Sequence, residues 1–404
     1  MFSTRTNWQL APNALTRALR EVRASGQQIF DLTVSNPTEA GLAEAGLAEA
    51  GLAEAGVCPD AKAVLGALVN PEALRYDPQP RGLLKARQAV CHYYREAHRI
   101  FDLDPERIVL TTSTSEAYSY VFRLLCNPGD EILVPKPSYP LFEFLADLSD
   151  VKLVPYPLIY DHGWQIDFDS LHKAATARTR AVIVVHPNNP TGSYASPSET
   201  AALNDFCRDH SAALIVDEVF LDYAHDGESR PSFAANEKAL TFTLSGISKI
   251  SALPQMKLAW VVTSGPANLV AEAGARLEVI ADTYLSMNAP VQLAAPAFLE
   301  LRKQIQPILL DRLRSNLAEL DRQLVMHPAC TRLQVEGGWY AVLRVPAVET
   351  DEELAIRLLR HAQVTVHPGH FYDFATDGHL VLSLITQPHT FREGIARLLG
   401  MVSH

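Results

Sequence analysis

A chain of 404 residues that is 48% apolar and 20% charged can bury a full core, and at about 100–200 residues per domain it reads as two lobes, which excludes disordered and fibrous classes. A formal charge of −11 with no basic run argues against nucleic acid or an anionic membrane surface as partner, and no uncharged apolar stretch approaches the roughly 18 residues that cross a bilayer. Met1–Leu15 lacks the apolar centre of a signal peptide, and five scattered cysteines (Cys58, Cys91, Cys126, Cys207, Cys330) lack metal-type spacing, so free thiols in a cytoplasmic enzyme are expected.

Asn13–Ala24 carries Leu15, Ala18, Leu19 and Val22 on one helical face. From Glu39 to Gly56 the unit Ala-Gly-Leu-Ala-Glu repeats. Its period of five fits neither helix nor strand, and each unit brings a helix-weakening glycine, so a surface loop or frayed helix is expected, with a lid as the sharper alternative. Short Val/Ile/Leu-rich runs then follow at Arg107–Thr111, Glu131–Val134, Lys152–Pro155, Ala181–Val185, Ala213–Val216, Thr241–Leu244 and Leu258–Thr263. They lack polar alternation, as strands buried on both faces do. Helical stretches such as Ser115–Leu125 and Ser198–His210 lie between several of them. The pattern predicts an α/β fold with a mainly parallel, doubly wound, seven-stranded sheet. One long helix is expected over Ala295–Leu324, then strands near Gly338–Arg344 and His379–Leu384 in a smaller α+β domain. The expected division is residues 1–56 joining the small domain, 57–290 as the large domain and 291–404 as the small one.

Ligands of open α/β sheets bind at the carboxyl ends of the strands. There the chain carries Thr112-Ser113-Thr114-Ser115 opening a helix, a stiff Pro-rich loop with Tyr139, and His186-Pro187-Asn188-Asn189-Pro190-Thr191-Gly192. Asp217-Glu218 and Ser245-Gly246-Ile247-Ser248-Lys249 close two further runs. Hydroxyls at a helix start suit either capping or a phosphate. Together with a carboxylate, an amide, an aromatic ring and a lysine they suggest one site for a phosphorylated aromatic ring that forms an imine.

On Asn188–Gly192, Asp217-Glu218-Val219 and Ser248-Lys249 with a basic residue eight positions later, the chain resembles the class I/II aminotransferases among fold type I pyridoxal-phosphate enzymes. The resemblance runs over nearly the whole chain and implies an aspartate-aminotransferase-like fold and pyridoxal 5'-phosphate as cofactor. It implies Lys249 as the Schiff-base lysine, Asp217 as partner of the pyridine nitrogen and Asn189 as partner of the ring 3-oxygen. Tyr139 would stack on the ring, and Ser113, Thr114 and Ser115 would bind phosphate. Tyr76 would reach the phosphate of a neighbouring subunit, so a homodimer with shared sites is implied. His186 and His370 fall in loops near the implied pocket.

Four positions depart from the family pattern. Lys257 stands for the phosphate-binding arginine, keeping the charge without its fork geometry. Phe220 lacks the usual tyrosine hydroxyl, with Tyr223 near but at the wrong spacing, and Gly246 lacks another hydroxyl that Ser245 could partly replace. Val381, in Gly378-His379-Leu380-Val381-Leu382-Ser383, stands where an arginine normally grips the substrate carboxylate; Arg344 is a candidate substitute, and Thr283 gives no support for a dicarboxylate. The resemblance therefore implies an aminotransferase acting between an amino acid or amine and a 2-oxo acid. The altered positions keep open a lyase, cyclase or decarboxylase with the same cofactor, and a non-enzymatic module is the remote rival.

Overall fold

The computed structural model describes residues 1–41, 61–140 and 142–402. From residue 42 on, the five-residue repeat lies outside the described residues, as do the lid expectation and Cys58.

Asn13 caps α1 (Ala14–Ala24) by accepting from Thr16 N at 2.7 Å, and Leu15, Ala18 and Val22 are buried on its inner face as their spacing predicts. A short strand, β1 (Phe30–Asp31), and helices α2 (Ala61–Ala67) and α3 (Leu84–His98) precede the large sheet. That sheet is built from β2 (Ile108–Thr111), β3 (Glu131–Lys136), β4 (Lys152–Tyr160), β5 (Trp164–Ile166), β6 (Thr179–Val185), β7 (Ala213–Asp217), β8 (Thr241–Gly246) and β9 (Ala259–Ser264). Its connections carry α4 (Thr114–Leu125), α5 (Phe142–Leu148), α6 (Phe168–Ala174), α7 (Pro197–His210) and the single turn α8 (Ile247–Ile250), and α9 (Ala267–Tyr284) follows it.

The strand order is β2-β9-β8-β7-β6-β3-β4-β5, eight strands in all. The five from β8 to β4 pair in parallel, β9 runs antiparallel between β8 and β2, and β5 folds back on β4. Each apolar run is a strand, and β6 and β7 are buried along nearly their whole length because helices cover both faces. The eighth strand went unanticipated because Trp-Gln-Ile is three half-covered residues at an edge, too short for a pattern.

The expected helix over Ala295–Leu324 is corrected to two, α10 (Ala289–Glu300) and α11 (Arg302–Leu324), meeting at Leu301. Pro296 and Pro307 flank that junction, and each removes a backbone donor and crowds the carbonyl four residues earlier. Beyond it come β10 (Thr331–Arg332), β11 (Tyr340–Arg344), α12 (Asp351–Ala362), β12 (Val364–Thr365), β13 (His367–Pro368), β14 (His379–Ser383) and α13 (Pro388–Val402). A four-stranded antiparallel sheet runs β10-β11-β14-β13, while β12 pairs in parallel with β1. The N-terminal segment is thereby fastened to the C-terminal part, with Ser383 N donating to the Leu32 carbonyl at 2.7 Å. Among the described residues no helix is long and apolar enough to cross a membrane, and no group of His, Cys, Asp or Glu is placed to hold a metal ion.

Candidate active site

The carboxyl ends of β7 and β8 and the start of α4 open into a cavity of about 420 Å³, closed on its far side by Tyr340, His367, Phe371 and Tyr372. Lys249 enters it from α8, directly after β8. Its Nζ donates to the Ser35 carbonyl at 3.2 Å and lies over the rings of Trp339 and Phe220, at 4.7 and 5.6 Å from their centroids. Burial pushes the ammonium down to about 8, and Asp217 only partly opposes it. The amine therefore gives up its proton more readily than an ordinary lysine.

Asp217 ends β7 and accepts from Val219 N at 3.1 Å and Tyr118 Oη at 3.2 Å. Burial raises its carboxyl to about 6, with those two donors and Lys249 drawing it back. The loop after β6 fixes Asn189. Asn188 spans it with its side-chain amide, reaching the Thr191 hydroxyl at 3.0 Å and the Pro137 carbonyl at 3.1 Å. Gly192 follows at φ +70, where a Cβ would run into the Gly337 carbonyl. Asn189 lines the cavity, and its amide oxygen is buried without a hydrogen-bond partner. Such an orphan in a cavity wall is what a bound polar ring would satisfy.

Ser113 and Thr114 line the cavity at the start of α4. Ser113 is also the helix cap, its hydroxyl accepting from Glu116 N at 3.1 Å. The capping reading thus holds for Ser113, a residue that also lines the cavity. Tyr139 lines the same space, edge-on to Phe142, and burial raises its phenol.

Several expected residues are not brought together with these. Ser115 is exposed on α4 outside the cavity lining, because successive residues of a helix point about 100° apart and three in a row cannot share one wall. Lys257 is exposed at φ +54, and Tyr76 is 82% exposed on a separate groove of about 630 Å³. His186 is buried in the scaffold, accepting from Ala195 N at 3.1 Å, with burial pushing it down to about 4, and His370 is exposed. Arg344 is exposed beside the Tyr160 ring, and Thr283 donates to the Val279 carbonyl at 2.8 Å.

The departures have structural causes. Gly246 lies against β9, where a Cβ would sit 2.8 Å from Ala259 Cβ and 2.9 Å from the Leu258 carbonyl, so no side chain fits. Ser245 turns away, toward the Glu218 carbonyl at 3.4 Å. Phe220 packs edge-on against Trp339 and Tyr340, and Tyr223 donates to the Lys249 carbonyl at 2.5 Å rather than into the cavity. Val381 is fully buried in the core of the small sheet. Sequence reasoning missed Ser35, Tyr118, Tyr340, His367, Phe371 and Tyr372 as neighbours of the site. Only His367, just before a Pro-Gly turn at a strand end, had a local signal.

A buried lysine beside a carboxylate and an amide at the strand ends of a doubly wound sheet has the layout of an α/β enzyme's active site. The comparisons narrow this class: residues 50–398 match the family model for class I and II aminotransferases, and the chain belongs to that family, whose members work with pyridoxal phosphate. It is similar to the glutamate-pyruvate aminotransferase AlaA of Haemophilus influenzae, 25% identical over 96% of this chain and 93% of the relative. An alanine aminotransferase of Mycobacterium tuberculosis is 26% identical over 93% of this chain and 86% of its own length. In fold it resembles the alanine aminotransferase of Pyrococcus furiosus, with a TM-score of 0.84 at 23% identity over 100% of this chain and 99% of that one.

Proposed function

We propose that the cavity binds pyridoxal 5'-phosphate joined covalently to Lys249, and that the enzyme moves an amino group between an amino acid or amine and a 2-oxo acid. The observation that carries this reading is the convergence of Lys249, Asp217 and the unpartnered Asn189 amide on one cavity. When bound, pyridoxal phosphate supplies a carbon that condenses with amines and a ring that accepts the electron pair released at the substrate carbon. Asp217 would hold a proton on the ring nitrogen, and Asn189 would orient the ring through its 3-oxygen. Tyr139 covers one ring face. Ser113 and Thr114 would bind phosphate at the positive end of α4, the two of the expected phosphate residues that line the cavity. Once the substrate amine has displaced it from the cofactor, Lys249 Nζ would carry the proton between the substrate α-carbon and the cofactor carbon on the other side of the shared nitrogen, as a base whose pKa lies near the working pH should.

The names of the similar proteins favour alanine or glutamate as donor and pyruvate as acceptor. A homodimer fits the groove around Tyr76, where Leu74, Tyr76 and Leu285 are 92%, 82% and 52% exposed; a second copy would cover them and receive Tyr76 at its phosphate. A large lobe over 57–290 and a small one from 1–56 with 291–404 would meet at the cavity. A cytoplasmic setting suits the four described cysteines, all free.

The test is borohydride reduction of the reconstituted protein followed by peptide mass mapping. The cofactor mass should appear on the Lys249 peptide and vanish in Lys249→Ala; no adduct in the wild type would refute the reading. A panel of amino acids and amines should then yield oxo products. Release of ammonia or carbon dioxide instead would favour a lyase or decarboxylase, the reading that the altered Phe220 and Val381 positions support.

A further inference from the structure

We propose that His367 does the work of the missing arginine: its imidazole, carried on the strand beside Val381, recognises the carboxylate of the amino substrate. The inference rests on the aminotransferase reading of the cavity and extends it to how substrate is chosen.

Among the described residues lining the cavity, Lys249 is the single Lys or Arg. Under the reading above, that amine is committed to the cofactor. A substrate carboxylate would otherwise be taken out of water among Tyr139, Phe142, Phe220, Tyr340 and Phe371, which is strongly unfavourable without a charged or hydrogen-bonding partner. Arg344, the candidate substitute, is exposed at the carboxyl end of β11 and does not line the cavity.

The register of the small sheet supplies the alternative. Val381 on β14 pairs with His367 on β13, and these strands are antiparallel. Residues directly opposite across an antiparallel pair put their side chains on the same face, with Cβ atoms about 4.5–5.5 Å apart. His367 therefore shares the face on which the arginine position points, one strand over. Val381 is fully buried in the core, whereas His367 reaches the cavity lining. The functional position has moved sideways across the sheet, not along the chain.

Its surroundings suit a switchable cation. The ring lies between Phe371 and Tyr372, with centroids 6.2 and 5.9 Å away, and it donates to the Thr33 carbonyl. That bond fixes one nitrogen as the donor and leaves the other for a ligand. The titratable groups facing it are Asp31 from β1 and the Tyr372 phenol, with Lys249 and Tyr340 on the same cavity. Asp31 Oδ1 is itself engaged by Thr33, at 2.8 Å from N and 2.6 Å from Oγ1. Burial lowers the His367 pKa against the pull of Asp31, so the ring is largely neutral when the cavity holds no anion. An arriving carboxylate favours the imidazolium, and binding takes up a proton.

Two measurements on the reconstituted enzyme test this. The first compares amino acids with the amines that lack only their carboxylate: alanine with ethylamine, and phenylalanine with phenethylamine. The wild type should prefer the acids, through KM, and increasingly so as pH falls toward the usual histidine range. His367→Gln should cut the acid-to-amine preference by about tenfold or more, since a hydrogen bond to a charged group is lost. The borohydride-trapped Lys249 adduct in that variant shows that it has folded. Adding Val381→Arg to His367→Gln should restore the preference and remove its pH dependence. The second uses 3-phenylpropionate, which cannot react: its binding, followed by calorimetry in buffers of different ionisation heat, should take up close to one proton in the wild type and none in His367→Gln. An unchanged preference in His367→Gln, binding without proton uptake, or a wild type that turns over amines and ignores acids would each overturn the proposal while the Lys249 adduct stands. Absence of that adduct would instead sink the aminotransferase reading and this inference together.

Discussion

The two walls of the cavity were built under different constraints. On the wall made by the ends of β7 and β8, Asp217 and Lys249 stand where the resemblance implies an acid and a lysine, each held by backbone or ring contacts. On the opposite wall, made by the small sheet, a core valine stands where the resemblance implies an arginine, and a histidine occupies the neighbouring strand. Under the proposed reading the first wall serves reactivity, which tolerates few chemical alternatives, and the second recognises the substrate carboxylate, which more than one kind of side chain can do. The contrast teaches that chemistry and selectivity can be altered separately in this scaffold.

The sharpest way to break the contrast is at Asp217. Asp217→Ala should lower turnover by about 10²–10⁴-fold at saturating cofactor, as removal of a group that holds a proton does; a loss below tenfold, read from steady-state kinetics, would remove the first wall's special status. Gly246→Ser would restore a family hydroxyl, yet it should destabilise the protein by about 1–3 kcal/mol in denaturant unfolding, because its Cβ meets Ala259 and Leu258. An unchanged midpoint would show that β9 can give way. Asn189→Ala should weaken cofactor affinity about tenfold by equilibrium titration, the cost of one hydrogen bond.

The smallest effect is a pH trend in the cofactor-free protein. Lys249 has a folded pKa lowered from 10.5 to about 8, so between those values the unfolded chain binds more protons and stability should rise with pH across that window. Asp217 has its pKa raised from 3.8 to about 6, so its contribution falls as pH rises from about 4 to 6. Melting temperatures of the wild type and of Lys249→Met, compared at pH 8 and 10, should show the upward slope only in the wild type.

Much of the first wall was legible in the sequence because its logic is local. An uninterrupted apolar run specifies a buried strand, and the polar residues that follow stand at its carboxyl end; Asp217 comes directly after its run and Lys249 five residues after its own, where the resemblance to the family singles it out. The second wall depends on pairing between distant segments. His367 matters because it faces Val381, and Val381 because β11 and β14 align Val342 with it, relations no window of sequence contains. Ser115 was expected beside Ser113 and Thr114 on motif grounds, and helical rotation turned it outward. The split at Leu301 escaped notice because the apolar spacing continues through it while the prolines interrupt only the backbone.

The carbonyl of Ser35 that meets the Lys249 amine belongs to a segment tied to the C-terminal sheet through Leu32 and β1. Trimming the chain to begin after residue 36, a common step in preparing an enzyme for crystals, would cut out part of the reaction chamber itself. Such a shortened protein could keep its large sheet intact and still be inert, so a negative assay on it would report the truncation rather than the enzyme.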